Sequence, residues 1–181
     1  MLGLLQSYLA GRHQFTEIQG IQSRIRKSPE CSVIQGSKLS GLLYTIYTNE
    51  VPKLHLLLQD SQWMEERLGV KKENYSGITH TVVNFVDDSN SFLSFDDPDD
   101  ANHYLNRYFL ILVFFYIQNK LLINPEKTTI LVVAKPQKIL EADDIRIVTE
   151  KEEVRPSKQV KILGWITNPR MNMDNHLDLT I

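Results

Sequence analysis

The run Thr81-Val82-Val83-Asn84-Phe85-Val86-Asp87-Asp88-Ser89-Asn90-Ser91-Phe92-Leu93-Ser94-Phe95 decides how the rest of the chain is read. Both flanks are β-branched, aromatic or small residues with no helical spacing. That predicts strand, tight turn and strand, with Asp87 and Asp88 at the tip. Two adjacent carboxylates on a rigid hairpin repel each other, and no Lys or Arg lies within ten residues of them. Such a pair suits a hard cation, because Mg²⁺ is held through one or two carboxylates plus substrate phosphates. The plainer reading is a solvated turn, since Asp is a common turn former. A calcium loop does not fit: counted from Asp88, Leu93 stands where glycine is required and Asp99 where the closing Glu belongs.

Composition sets the bounds. A chain of 181 residues, 42% apolar and 23% charged, is ordinary for a globular protein of one domain or slightly more. A net charge of −2 gives no global basic field, so any nucleic-acid contact has to be local. Charge is unevenly spread. Residues 1–40 carry Arg12, Arg24, Arg26, Lys27 and Lys38 against Glu17 and Glu30, whereas Asp87 to Asp100 holds six acids. The lone Cys31 excludes an intramolecular disulfide and is compatible with a reducing compartment. Met1 to Ala10 lacks the basic leader of a signal peptide, and the longest apolar run, Phe109 to Ile117, is too short to span a bilayer. The expectation is an intracellular chain, in cytoplasm or nucleus, without a membrane partner.

In chain order, Leu2, Leu5, Tyr8 and Leu9 recur at helical spacing and Gly11 is a natural stop. A chain that starts inside a helix is expected to have further sequence upstream. Arg12 to Gly20 predicts a short strand, and Ile21 to Glu30 a basic, irregular connection. Leu39, Leu42, Leu43, Ile46 and Tyr47 predict an amphipathic helix capped by Ser37 or Ser40 and ended by Pro52. Gly36, just before it, is either a turn glycine or a place where backbone approaches a ligand closely. Residues 54–78 are polar and weakly patterned, which predicts a surface insertion. Asp96-Asp97-Pro98-Asp99-Asp100 predicts a helix start, its acids serving the cap and dipole rather than chemistry. That helix is expected to run to about Leu121, with Ala101, Tyr104, Leu105, Tyr108, Leu112, Phe115 and Tyr116 inward. Asn124 to Thr128 reads as a turn before a strand at Thr129–Val133, residues 135–158 as a hairpin or loop, and Val160–Ile166 as a last strand. Another helix is expected to begin near Asp174.

Four of these pieces, in order, resemble the palm of a reverse transcriptase of the non-LTR retrotransposon type. Ile34-Gln35-Gly36-Ser37 through Leu42-Leu43 resembles the family's "PQGS…SPLL" box, and Phe85-Val86-Asp87-Asp88 its aromatic-x-Asp-Asp box. Ile123-Asn124-Pro125-Glu126-Lys127-Thr128 resembles the "N-x-x-KT" box, and Leu163-Gly164 the "LG" that begins the primer grip. Each box is weak alone; the ordered set is specific and covers essentially the whole chain. The family's two prolines are Ile34 and Gly41 here, which loosens a loop that should be stiff. The family's first catalytic aspartate, on a strand upstream of the Gln-Gly box, has no counterpart: the acids ahead of Gln35 are Glu17 and Glu30.

The resemblance implies an α+β polymerase palm: an antiparallel sheet of three to five strands, with the helices from about Ser40 and Pro98 on one face. Residues 1–135 would be a palm fragment, and 136–181 the end of the palm, the primer grip and the start of a thumb. It implies RNA-directed DNA polymerase chemistry with Mg²⁺ or Mn²⁺, an RNA template, a DNA primer and deoxynucleotides. Asp87 and Asp88 would be the catalytic and metal-binding pair. Lys127 would neutralise or protonate pyrophosphate, and Gln35, Gly36, Phe85 and Asn124 would serve nucleotide and template. Leu163 and Gly164 would form the primer grip. A fragment without the third carboxylate is expected to be inactive alone. The alternatives are a non-catalytic remnant that binds nucleic acid or another chain through the basic segment Arg12–Lys38, and an unrelated metal-binding α+β domain. An RNA-copying RNA polymerase fits less well, because a Gly-Asp-Asp turn would be usual there.

Overall fold

The hairpin is present, and the described residues form an α+β chain with four α-helices and short paired strands. The structure is a computed structural model that describes residues 2–29, 33–34, 36–71, 73–134, 144–149 and 152–171. The expected helix near Asp174 lies outside them. The chain divides into two units, Met1–Asn49 with Phe85–Asp88, and Glu50–Asn84 with Ser89–Ile181.

In the first unit, α1 (Leu2–Leu9) stops ahead of Gly11, whose φ of +65° ends the helix. A two-stranded ribbon follows. Its base pairs β1 (His13–Gln14) with β4 (Arg26–Lys27), and its end pairs β2 (Glu17–Ile18) with β3 (Ile21–Gln22). Gln19 and Gly20 turn it at φ 51° and 79°, as a type I′ hairpin turn requires. The stretch expected to be an irregular connection is thus largely the return strand.

Helix α2 (Ser40–Tyr47) begins without a serine cap. Leu39 holds the N-cap position with no side-chain cap bond, while the Ser40 hydroxyl donates to the Ile34 carbonyl. The Ser37 hydroxyl accepts from the Leu39 amide at 3.3 Å and from the Tyr8 hydroxyl at 2.7 Å. No residue of α2 is fully buried, so the expected apolar stripe does not build a core. Pro52 does not end this helix. Proline fits the first turn of a helix, and it opens the next element.

That element, a 3₁₀ helix over Val51–Gln59, begins the second unit and corrects the expectation for residues 54–78. Val51, Leu54 and Leu58 from it and Met64 from α3 (Ser61–Leu68) form the main core with Val82, Tyr104, Tyr108 and Ile111. The segment is no surface insertion, because Leu54, Leu58 and Met64 are three of the eight residues of that core. Asp60 caps α3 by accepting from the Trp63 amide at 2.9 Å. β5 (Thr79–Phe85) alternates its burial, with His80, Val82 and Asn84 less exposed than their neighbours, and pairs with β6 (Asp88–Ser94). The His80 ring meets Tyr108 edge-on at 4.4 Å between centroids, and its Nδ1 lies 3.0 Å from the Tyr104 hydroxyl. Burial, and then the neighbouring His55, push the His80 imidazole down to about 4. Burial first, and then Tyr108, push the Tyr104 phenol up to about 12.

Helix α4 (Pro98–Gln118) starts as expected. Asp97 Oδ1 accepts from the amides of Asp99 at 2.7 Å and Asp100 at 3.3 Å, with Pro98 in the first turn. Ala101, Tyr104 and Tyr108 are buried as predicted, joined by Phe109 and Ile111. Its polar side is used too. Asn106 donates to the Arg146 carbonyl at 2.7 Å and accepts from the Val148 amide at 2.9 Å; Asn102 accepts from the Arg146 amide at 2.9 Å. These amides satisfy the edge of β7 (Ile147–Val148), which pairs antiparallel with β8 (Glu153–Val154).

The predicted strand Thr129–Val133 is reduced to one bridge, Ile130 to Pro156. Val160–Ile166 is not one strand but a hairpin, β9 (Val160–Ile162) and β10 (Trp165–Thr167), turned by Leu163-Gly164. Trp165, in β10, is 53% exposed. Among the described residues each sheet has only two strands, so the single sheet of three to five is not formed. The physical reason is length: apart from β5 and β6, these strands have two or three residues. No helix among the described residues is long and apolar enough to cross a membrane.

Candidate functional site

β5 and β6 are joined by Val86 and Asp87 alone, and a two-residue link forces an antiparallel hairpin. Asp87 therefore sits in the turn, while Asp88 is the first residue of the outgoing strand rather than part of the tip. Below the turn the Ser89 hydroxyl donates to the Asn84 side-chain oxygen at 2.8 Å, tying the strands together. Val86 has φ +54°, in the left-handed region where a β-branched residue is a genuine outlier. The local cost is on the order of 1–3 kcal/mol, and such strain gathers at functional turns.

Within the first unit, α2 lies against this turn. A Cβ built on Gly41 would meet Val86 Cγ2 at 3.9 Å, which is ordinary contact, so space does not demand glycine there. The Tyr44 phenol is held above its usual range, by burial first and then by the Asp87 carboxylate. Tyr44 is the neighbour that sequence reasoning missed, because at helical spacing it reads as one more apolar position. Asp87 and Asp88 are both exposed, and neither is paired with a cation among the described residues. Phe85, at the end of β5, is 59% exposed. Gly36 is in a turn at φ +79°, and a Cβ built on it would meet no described atom within 4 Å. Gln35 lies outside the described residues.

The remaining predicted residues lie in the second unit. Asn124 caps a short 3₁₀ helix, Pro125–Lys127, accepting from the Glu126 amide at 3.0 Å through its side chain and from the Thr128 hydroxyl at 3.0 Å through its carbonyl. Its bracing of the turn is explicit; Lys127 is exposed at the end of that helix. Leu163 and Gly164, at φ 48° and 91°, are the turn of the β9–β10 hairpin.

Among the described residues no group of three or more His, Cys, Asp or Glu is placed to hold a metal ion. The donor set at the hairpin is two carboxylates. It fits one Mg²⁺ or Mn²⁺ whose other positions are filled by substrate phosphates and water. It does not fit a pair of ions about 4 Å apart, which needs a further bridging anion. Comparison with known protein families, with characterised proteins and with solved structures finds no match to this chain.

Proposed function

We propose that this chain is a palm fragment of an RNA-directed DNA polymerase of the retrotransposon kind, whose hairpin offers Asp87 in the turn and Asp88 at the start of the outgoing strand to a divalent ion carried with a deoxynucleotide. The observation that supports this reading most is the strained tip itself: a left-handed valine next to two exposed carboxylates without cation partners. A solvated turn could be made with Asn-Gly at no conformational cost. Holding Val86 there instead fixes where the following carboxylate points.

A bound ion would supply charge neutralisation at the triphosphate and at the primer hydroxyl. The chain's own part is positional. Asp87, in the turn, is the first ligand and Asp88 its neighbour; the Asn84–Ser89 bond keeps the strands in register beneath them. Phe85 offers an exposed ring for the primer terminus, and Gln35 and Gly36 are assigned to the nucleotide and template by the resemblance. In the second unit, the resemblance alone assigns Lys127, on the turn that Asn124 caps, to pyrophosphate and Leu163-Gly164 to the primer grip. Without a third carboxylate, the chain by itself binds weakly and does not polymerise.

A second reading has its own observation. The ribbon Arg12–Ser28 holds Arg24, Arg26 and Lys27 against the single acid Glu17, and almost all of it is exposed. A two-stranded basic ribbon suits a nucleic-acid backbone or groove. It would let a non-catalytic remnant bind nucleic acid.

Melts of wild-type and Asp87→Asn protein test the first reading. Metal-free, Asp87→Asn is expected to be the more stable by about 0.5–1 kcal/mol, since it relieves two neighbouring charges held for a ligand. Millimolar Mn²⁺ narrows the gap by stabilising wild type through mass action. A neutral substitution with no response to Mn²⁺ would leave Asp87-Asp88 as an ordinary acidic turn.

A further inference from the structure

The second unit contains a cavity of about 440 Å³ whose wall includes His55, Tyr75, His80 and Tyr104. Two of its polar atoms are buried with no hydrogen-bond partner: His55 Nδ1 and His80 Nε2. Leaving such an atom dry costs about 1–3 kcal/mol, and native proteins rarely leave two of them side by side without a bound species. The rings are close, 4.9 Å between centroids, with their planes tilted by 54°.

The geometry points to a two-histidine site for a borderline divalent transition metal, Zn²⁺, Ni²⁺ or Cu²⁺, bound by His55 Nδ1 and His80 Nε2. Three features carry this. First, an imidazole nitrogen binds such an ion at about 2.0–2.1 Å, so two rings on adjacent coordination positions have centroids about 5 Å apart, which is the spacing found here. Second, the other nitrogen of His80 is already placed as metal-bound histidines require. Nδ1 lies 3.0 Å from the Tyr104 hydroxyl oxygen, a contact that holds the ring; in the tautomer with the proton on Nδ1, Tyr104 accepts it and the Nε2 lone pair is left for the ion. Third, the nearby carboxylate is engaged elsewhere. Glu73 accepts from Tyr75 at 3.1 Å and from Arg107 at 3.4 Å, and meets His103 Nδ1 at 3.2 Å. With no third protein ligand among the described residues, the remaining positions belong to water or a small anion, and imidazole ligation excludes Mg²⁺ and Ca²⁺. The site involves neither Asp87 nor Asp88 and does not depend on the polymerase reading.

The test uses the whole chain, titrated with Ni²⁺ and separately with Zn²⁺, while the histidine ring signals are followed by ¹⁵N-edited NMR. The His55 and His80 signals are expected to shift or broaden together at metal concentrations in the micromolar range. His55→Gln removes the response, Tyr104→Phe weakens affinity about tenfold by freeing the His80 ring, and Asp87→Asn leaves it unchanged. Mg²⁺ at the same concentration gives no change. Because His80→Gln alters a packed position and can fail to fold, His55→Gln and Tyr104→Phe decide the outcome. No response of these two rings below a millimolar, or wild-type affinity in His55→Gln, overturns the site and leaves the cavity to water.

Discussion

Replacing Val86 by Gly and by Ala reads the strain at the hairpin tip directly. At an ordinary exposed position Ala is more stable than Gly by about 0.5–1 kcal/mol, because Gly has more freedom to lose on folding. At φ +54° the balance changes. An L-residue in the left-handed region costs about 1–2 kcal/mol, which Gly avoids. Subtracting the entropic penalty leaves Val86→Gly more stable than Val86→Ala by about 0.5–1 kcal/mol. Both variants lose the same partly exposed valine methyls, so the comparison isolates the backbone term. Guanidinium unfolding followed at the amides of the hairpin measures it, and in a chain of this length 1 kcal/mol corresponds to about 2–4 °C in a melt. If Ala proves more stable than Gly by half a kcal/mol or more, the tip is unstrained and the argument from Val86 fails.

Other outcomes follow from the same structure. Asn106→Ala leaves the Arg146 carbonyl and the Val148 amide unpaired at a partly buried edge, and is expected to cost about 2 kcal/mol in chemical unfolding; a loss under half a kcal/mol would mean water replaces the amide. His80, held near 4 in the folded chain against 6.5 in a free imidazole, makes stability fall with pH. Above 6.5 both states are neutral and the contribution is complete; as pH falls from 6.5 to about 4 the unfolded chain takes up the proton first and stability is lost. His55, Tyr104 and Tyr108 face this ring, and Tyr75 and Glu73 are in the same cavity wall; burial raises Glu73, but bonds from Tyr75, Arg107 and His103 outweigh it and hold the carboxyl below its usual range. In EDTA, the loss between pH 7.5 and 5 is about 1 kcal/mol after allowing for the ring's partial exposure, and His80→Phe flattens the slope. Primer extension with Mg²⁺ or Mn²⁺ should show nothing above an Asp87→Ala, Asp88→Ala control; extension that depends on Asp87 would mean that another acid completes the site.

How much could be read ahead differs by element, for physical reasons. The central hairpin and α4 announce themselves, the first by β-branched flanks about Asp87-Asp88, the second by Asp97-Pro98 followed by a broad apolar stripe. The 3₁₀ helix was hidden because Val51, Leu54 and Leu58 recur at intervals of three and four under a proline that reads as a stop. It therefore resembles a poor α-helix. The basic ribbon was half seen: Gln19-Gly20 is its signal, but no apolar alternation supports the return strand. Gly164 inside an apolar run marked a turn that the hydrophobicity of Val160–Ile166 concealed. At the site, Asp87 and Asp88 stood out as adjacent carboxylates between two strands, while Asn124 entered through the resemblance alone and its cap on Glu126 was not foreseen. Tyr44, the α4 amides and the His55–His80 pair were not, because their roles depend on contacts between residues distant in sequence.

Paramagnetic broadening tests the divalent-ion site proposed at the Asp87-Asp88 hairpin. Mn²⁺ is added with a deoxynucleoside triphosphate to ¹⁵N-labelled chain, and the amide signals of residues 84–90 are compared in wild type and Asp87→Asn. The account predicts broadening centred on Val86–Ser89 in wild type, strengthened by the nucleotide, and its disappearance in Asp87→Asn. Broadening absent from these residues, or identical in the two proteins, would contradict it.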